Sequence, residues 1–278
     1  MVPSASALGL LLAFVVLPAV AAALVHAAFR RIVPHERLIA HHDVAGFLVA
    51  IVGVLYAVVL GFVVVTSWSA FDSAQQNADQ EAGDVADAFG FARMLPEPRR
   101  GDLQKSLAGY AIEVRDREWD AMRKGQQDPR ARAFLLRAAE ALGEPGAKPS
   151  ANFDEALNRE TARQAVAASL RDIADNRRLR LIESSKAFTP VLGLALIIGA
   201  AIVIAFVFLF GMEDTTLQLT MTALVAGCIG LLLGVVFEFS APYAGALRVS
   251  ADAWSYIIDN NHFRQIVRTS EGANTLAP

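Results

Sequence analysis

Cysteine is nearly absent from this chain. The single one, Cys228, lies inside an apolar run. It excludes an intramolecular disulfide and a thiolate metal cluster, and it leaves the redox compartment unmarked. Enzyme signatures are missing too: there is no glycine-rich phosphate loop, no HExxH spacing and no plausible cysteine nucleophile. The sequence therefore points away from an enzyme and calls for no cofactor. Positive charge is not in surplus, with a net charge of -3 and a pI near 6.0. Nucleic-acid binding would need a concentrated basic patch, so no nucleic-acid partner is expected. Strand-like alternation of useful length is also lacking. Charge itself is absent from Val44 to Trp68.

What fills the chain instead is apolar: 54% of residues are hydrophobic and the mean hydropathy is +0.40. That exceeds the usual content of a soluble domain. Val44–Trp68 reads VAGFLVAIVGVLYAVVLGFVVVTSW. A helix satisfies every amide within the segment, so the stretch is a membrane span, with Trp68 at headgroup level. Gly46, Gly53 and Gly61 recur at spacings of seven and eight along one side. They form a helix-packing face or leave room in a pore.

Residues 7–29 form an earlier apolar segment with Pro18 in its middle. A retained helix, kinked at Pro18, is the preferred reading over a cleaved signal peptide, because no Lys or Arg precedes the run. The loop 30–43 carries Arg30, Arg31, Arg37, His35, His41, His42 and Asp43. Adjacent histidines on a helix diverge by about 100°, so the run is read as an interfacial loop and not a metal site. Asp43 is expected to cap the second span.

After Trp68 the composition shifts to interspersed charge through residue 187. The apolar pattern of Phe71, Ala74, Ala78, Val85, Ala88 and Phe89 carries the second helix on to Leu95-Pro96. Further helices are expected at about 99–124, in a shorter stretch ending at Gly143, and from Asn152 to about Lys186. Glu113, Asp116, Glu118 and Asp120, with Arg115 and Arg117, read as a solvated helix face. A third span, Phe188–Phe210, and a fourth, about Thr215–Phe239, make a tight membrane hairpin. Gly227, Gly230 and Gly234 permit close packing there. A final helix starts near Ser250, with Trp254, Ile257 and Ile258 on its apolar side, and the chain is expected to be disordered after Arg268.

The fold expected is all-α. Residues 1–68 hold spans one and two, 69–187 a soluble helical module inserted before the third span, 188–239 spans three and four, and 240–278 a soluble helix and tail. The lipid bilayer is the first partner. Arg171, Arg177, Arg178, Arg180, Lys186 and Arg248 on the module side outnumber Arg30, Arg31 and Arg37 opposite, which favours a cytoplasmic module. Arginine-rich, alanine-rich usage fits a bacterial plasma membrane protein.

The stretch GFLVAIVGVLYAVVLGFVVVTSW, followed by Glu81-Ala82 and Leu95-Pro96-Glu97-Pro98, resembles the bestrophin-like domain proteins of bacteria and plants. Pro242-Tyr243-Ala244-Gly245 and Val249-Ser250 look like the same family's closing motif. The resemblance implies a distant similarity to bestrophins, pentameric anion channels whose cytosolic helices continue the pore helix. It implies a homo-oligomer with its pore lined by the second span and inorganic ions as the permeant species. The tail has no acidic run of the kind a calcium clasp needs, so calcium gating is not carried over.

On that reading Val52, Tyr56, Val59 and Val63 supply a narrow apolar neck and Thr66 a polar mouth. Each of them faces lipid or a neighbouring helix on the plainer reading. Arg30, Arg31 and Arg37 are pore-mouth candidates. Glu238 ends the fourth span as a possible ion-path residue or an interfacial partner of Arg248, and His26 is a lesser candidate. The rival class is a non-conducting membrane scaffold or sensor whose helical module binds a partner.

Overall fold

The computed structural model describes residues 5–33, 42–143, 153–185, 190–210, 212 and 214–274. Among them every regular element is a helix. The chain divides into two compact units, one of residues 1–71 and 187–248, the other of 72–186 and 249–278.

Among the described residues the first unit holds four helices long and apolar enough to cross a membrane. They are α1 (Ala5–Ile32), the first part of α2 (His42–Ala92), α7 (Pro190–Phe208) and α8 (Thr215–Phe239). Helix α1 runs through Pro18 without ending, and its last turn contains Arg30 and Arg31, which the sequence places in a loop. Proline cannot donate to the carbonyl four residues back, so the Phe14 carbonyl is freed. A Cβ on Gly230 of α8 would collide with that oxygen, and one would lie 2.7 Å from Pro18 Cγ. Gly234 meets the Phe14 ring and Gly227 meets Val15 in the same way. The three glycines thus let α8 close on the irregular surface of α1.

Leu60 and Val63 of α2 form the core of this unit with Leu196 and Ala200 of α7 and Leu233 and Val236 of α8. At one end Trp68 packs edge-on against Phe239 at 5.2 Å. Helix α8 begins at Asp214, whose carboxylate accepts from the Thr216 and Leu217 amides at 2.8 and 3.1 Å. That N-cap satisfies two amides with no intrahelical partner.

The second unit contains the rest of α2, then α3 (Arg99–Glu113), a π-helical turn Val114–Glu118, α4 (Trp119–Met122), α5 (Pro129–Leu142), α6 (Phe153–Ser185), α9 (Asp252–Asn260) and α10 (Phe263–Asn274). Asp128 caps α5 through the Arg130 amide at 2.8 Å, with Pro129 in the first turn. Gly125 and Gly143, both at positive φ, end the helices before them. Gly109 of α3 sits under the Phe134 ring of α5, where no side chain fits.

Three expectations change. Helix α2 stops at Ala92, short of Leu95-Pro96, because the chain turns through 93–95 on i to i+3 hydrogen bonds. The chain stays helical past Arg268, where a disordered tail is expected from the sequence: α10 runs to Asn274, and Phe263 near its start is buried against Phe89 at 4.7 Å. Ser250 and the helices after it belong to the second unit, where the Ser250 amide donates to Gln75 at 2.9 Å. The cap expected at Asp43, and His35, Arg37, His41 and most of 143–150, lie outside the described residues or side chains.

Candidate functional site

Helix α2 carries the candidate pore residues. Tyr56 and Val63 are turned onto their own chain. Tyr56 donates its hydroxyl to the Leu196 carbonyl at 3.2 Å, with its ring where a Gly199 side chain would be. Val63 is buried, Val52 half-buried, and Val59 and Thr66 exposed. Thr66 turns its hydroxyl back to the Val63 carbonyl at 3.0 Å.

Of the glycines, a Cβ on Gly46 would lie 3.6 Å from the Phe210 ring, whereas nothing lies within 4 Å of a Cβ on Gly53 or Gly61. Those two, with Ala57, floor an apolar cavity of about 280 Å³ walled by Val203, Ile229 and Leu232.

A second stripe of α2 is exposed over its whole spanning part: Phe47, Ile51, Val54, Val58, Phe62 and Val65. These recur at helical spacing, and the same register continues to Asp72, Asp79 and Asp87, all exposed. No Lys or Arg occurs between Val44 and Ala92.

The arginines at the other end are partly engaged. Arg30 Nη2 donates to the Met212 carbonyl at 3.3 Å and to Thr215 Oγ1 at 3.2 Å. Arg31 is exposed, and Arg37 lies outside the described residues. Glu238 does not pair with Arg248. Its Oε2 accepts from the Ala246 and Leu247 amides at 2.7 and 2.9 Å, because the turn through Pro242-Tyr243-Ala244-Gly245 brings those amides back over the helix end. Among the described residues no group of three or more His, Cys, Asp or Glu side chains is placed to hold a metal.

The second unit holds a charge cluster that the sequence reading passed over. Arg180 of α6 is fully buried and donates to Glu81 of α2 through Nε at 2.6 Å and Nη2 at 3.0 Å. The same Nη2 reaches Glu118 at 2.9 Å. Glu118 also accepts from Arg177, and Glu81 from the Tyr110 hydroxyl. Trp119 lies with its ring 5.5 Å from the Arg180 guanidinium. Glu118 is therefore not part of a solvated face. The π-helical turn places it inside, where burial of a charge is tolerated only with partners.

Burial opposes the Arg180 charge, but the Glu81 carboxylate and its hydrogen bonds outweigh it and hold the guanidinium well above its ordinary pKa. Burial, then the Glu81 charge, pushes the Tyr110 hydroxyl well up. The missed signal was the spacing of Arg177 and Arg180 on α6, which puts two guanidinium groups on one face.

The fold and this geometry define an all-helical membrane protein with four apolar helices. A family profile described as Bestrophin-like domain matches residues 13–254. The chain belongs to the bestrophin-like domain family. A crystal structure of a point mutant of a bacterial bestrophin homologue from Klebsiella pneumoniae is similar at 14% identity, with 92% of this chain and 98% of that one covered and a TM-score of 0.63. A crystal structure described as a membrane protein mutant matches at 14% identity over 95% of this chain and 99% of that one, with a TM-score of 0.60. At such identity these likenesses concern the fold. No curated protein matches by sequence.

Proposed function

We propose that the chain is one subunit of a homo-oligomeric ion channel, with the pore lined by the second span and the helical module, inserted between spans two and three, on the cytoplasmic side. The observation that supports this is α2 itself. It is an uninterrupted helix of 51 residues, charge-free where it spans and then acidic. The apolar stripe it leaves uncovered is free to face lipid or copies of itself, and an axis built from copies of α2 would be a narrow apolar neck opening onto a polar mouth.

Val59 and Thr66, exposed beside that stripe, are the sequence candidates best placed to reach the axis. Tyr56 and Val63 sit round the helix from them and fix its rotation against α7 and α8. The family resemblance implies anions. The charge of this helix favours cations instead, since Asp72, Asp79 and Asp87 lie on one exposed register with no basic residue on α2 to offset them. Arg30 and Arg31 stand on α1 at the opposite end of the spans.

Proteoliposomes containing the purified protein should release potassium down its gradient. Replacing Asp72, Asp79 and Asp87 by asparagine should reduce the preference for potassium over chloride. Liposomes that stay tight under voltage and tension would favour the non-conducting scaffold or sensor.

A further inference from the structure

The strongest unassigned feature is a layer of polar side chains between α1 and α8. His26 and Thr222 are completely buried there and Gln218 nearly so, at 2% exposure. His26 Nδ1 lies 2.7 Å from Thr222 Oγ1, and one turn further along α1 Arg30 reaches Thr215. On α8, Gln218 falls between Thr215 and Thr222, so its side chain belongs to the same ladder. Phe208 stacks on the imidazole at 4.6 Å and Phe29 stands edge-on to it at 6.5 Å, which screens the layer from lipid. Three atoms in it are buried without a hydrogen-bond partner: His26 Nε2, Arg30 Nη1 and Gln218 Oε1.

Their chemistry can be assigned. The Thr222 hydroxyl is placed to donate to the backbone carbonyl of Gln218 at 3.0 Å, which assigns it as the acceptor from His26. On that assignment a neutral His26 carries its proton on Nδ1, and its Nε2 is an acceptor. Gln218 spends an amide proton on the Phe210 carbonyl, leaving Oε1 as an acceptor. Arg30 has spent Nη2 on Met212 and Thr215, leaving Nη1 as a donor.

We propose that His26, Arg30 and Gln218 bind one water molecule inside the membrane-spanning unit, accepting from Arg30 and donating to the other two. Two acceptors and one donor are the complement of water. An anion would face two lone pairs, and a cation would face the guanidinium. The proposal stands whether or not the protein conducts.

The test is solid-state nitrogen NMR on the full chain in lipid bilayers at neutral pH. The expected result is a His26 ring protonated at Nδ1, with an Nε2 shift typical of a hydrogen-bonded acceptor and a cross-peak from Nε2 to water protons. Gln218→Leu should weaken that cross-peak, while the Nδ1 tautomer persists. An Nε2 with the shift of an unbonded acceptor and no water cross-peak in the unmodified protein would overturn the proposal. So would a bromide peak at the site in crystals grown from bromide, which would make it an anion site.

Discussion

Arg180 is the residue on which the second unit most depends. It joins Glu81 and Glu118 at full burial, so its loss leaves two carboxylates without their main cation. Arg180→Met should cost about 3–5 kcal/mol of stability, the range for breaking a buried pair from one side. Lysine should not restore it, because a point charge cannot match the two-pronged contact with Glu81. Arg178→Ala, three residues from Asp175 on an exposed surface, should change stability by less than about 0.5 kcal/mol. Denaturant titrations of the three variants in detergent check the contrast.

Asp84 offers a pH test. Burial raises its carboxyl pKa despite hydrogen bonds from Gln80 and Asn176, and Asp172 and Asp87 push the same way. A raised acid costs the folded state while it is ionised, and the cost fades as pH falls through the folded pKa. Asp84→Asn should therefore raise the melting temperature more at neutral pH than near pH 3, below the ordinary aspartate pKa, and an equal gain at both would contradict the assignment. None of this was readable in the sequence. A buried carboxylate and a solvated one look alike when neighbours alternate in sign, and only the tertiary arrangement of α2, α6 and the π-helical turn separates Glu118 from Asp120.

At the scale of the elements, hydropathy and turn chemistry reach much further. Charge-free runs must hydrogen-bond internally, which is why all four apolar helices, and the family, are visible from composition and motif. Asp214 and the Asp128-Pro129 pair mark helix starts by rules that need no tertiary context. Glycine is where such rules run out. Gly230 and Gly61 look equivalent in an apolar run, yet one meets the Phe14 carbonyl and the other meets nothing. Gly230→Ala should accordingly lower stability by about 1–3 kcal/mol through overpacking. Gly61→Ala should leave the isolated subunit unchanged. Thermal melts of the two variants side by side measure the difference, and equal effects would mean that α1 and α8 are not packed as described.

At the scale of the whole molecule, α2 joins the two roles that the chain must combine. Its first half is an apolar membrane helix and its second half contributes Glu81 to the buried cluster. In the proposed channel such continuity would matter, since the helix that would face the ions is also the one held by the module. The choice of ion is the sharpest consequence, because the resemblance and the residues point to opposite signs. The deciding measurement is the reversal potential of the reconstituted protein in a planar bilayer under a potassium chloride gradient. A reversal displaced toward the potassium potential, and drawn back toward zero by neutralising Asp72, Asp79 and Asp87, is the predicted result. A reversal at the chloride potential, or a bilayer that stays silent, would contradict it.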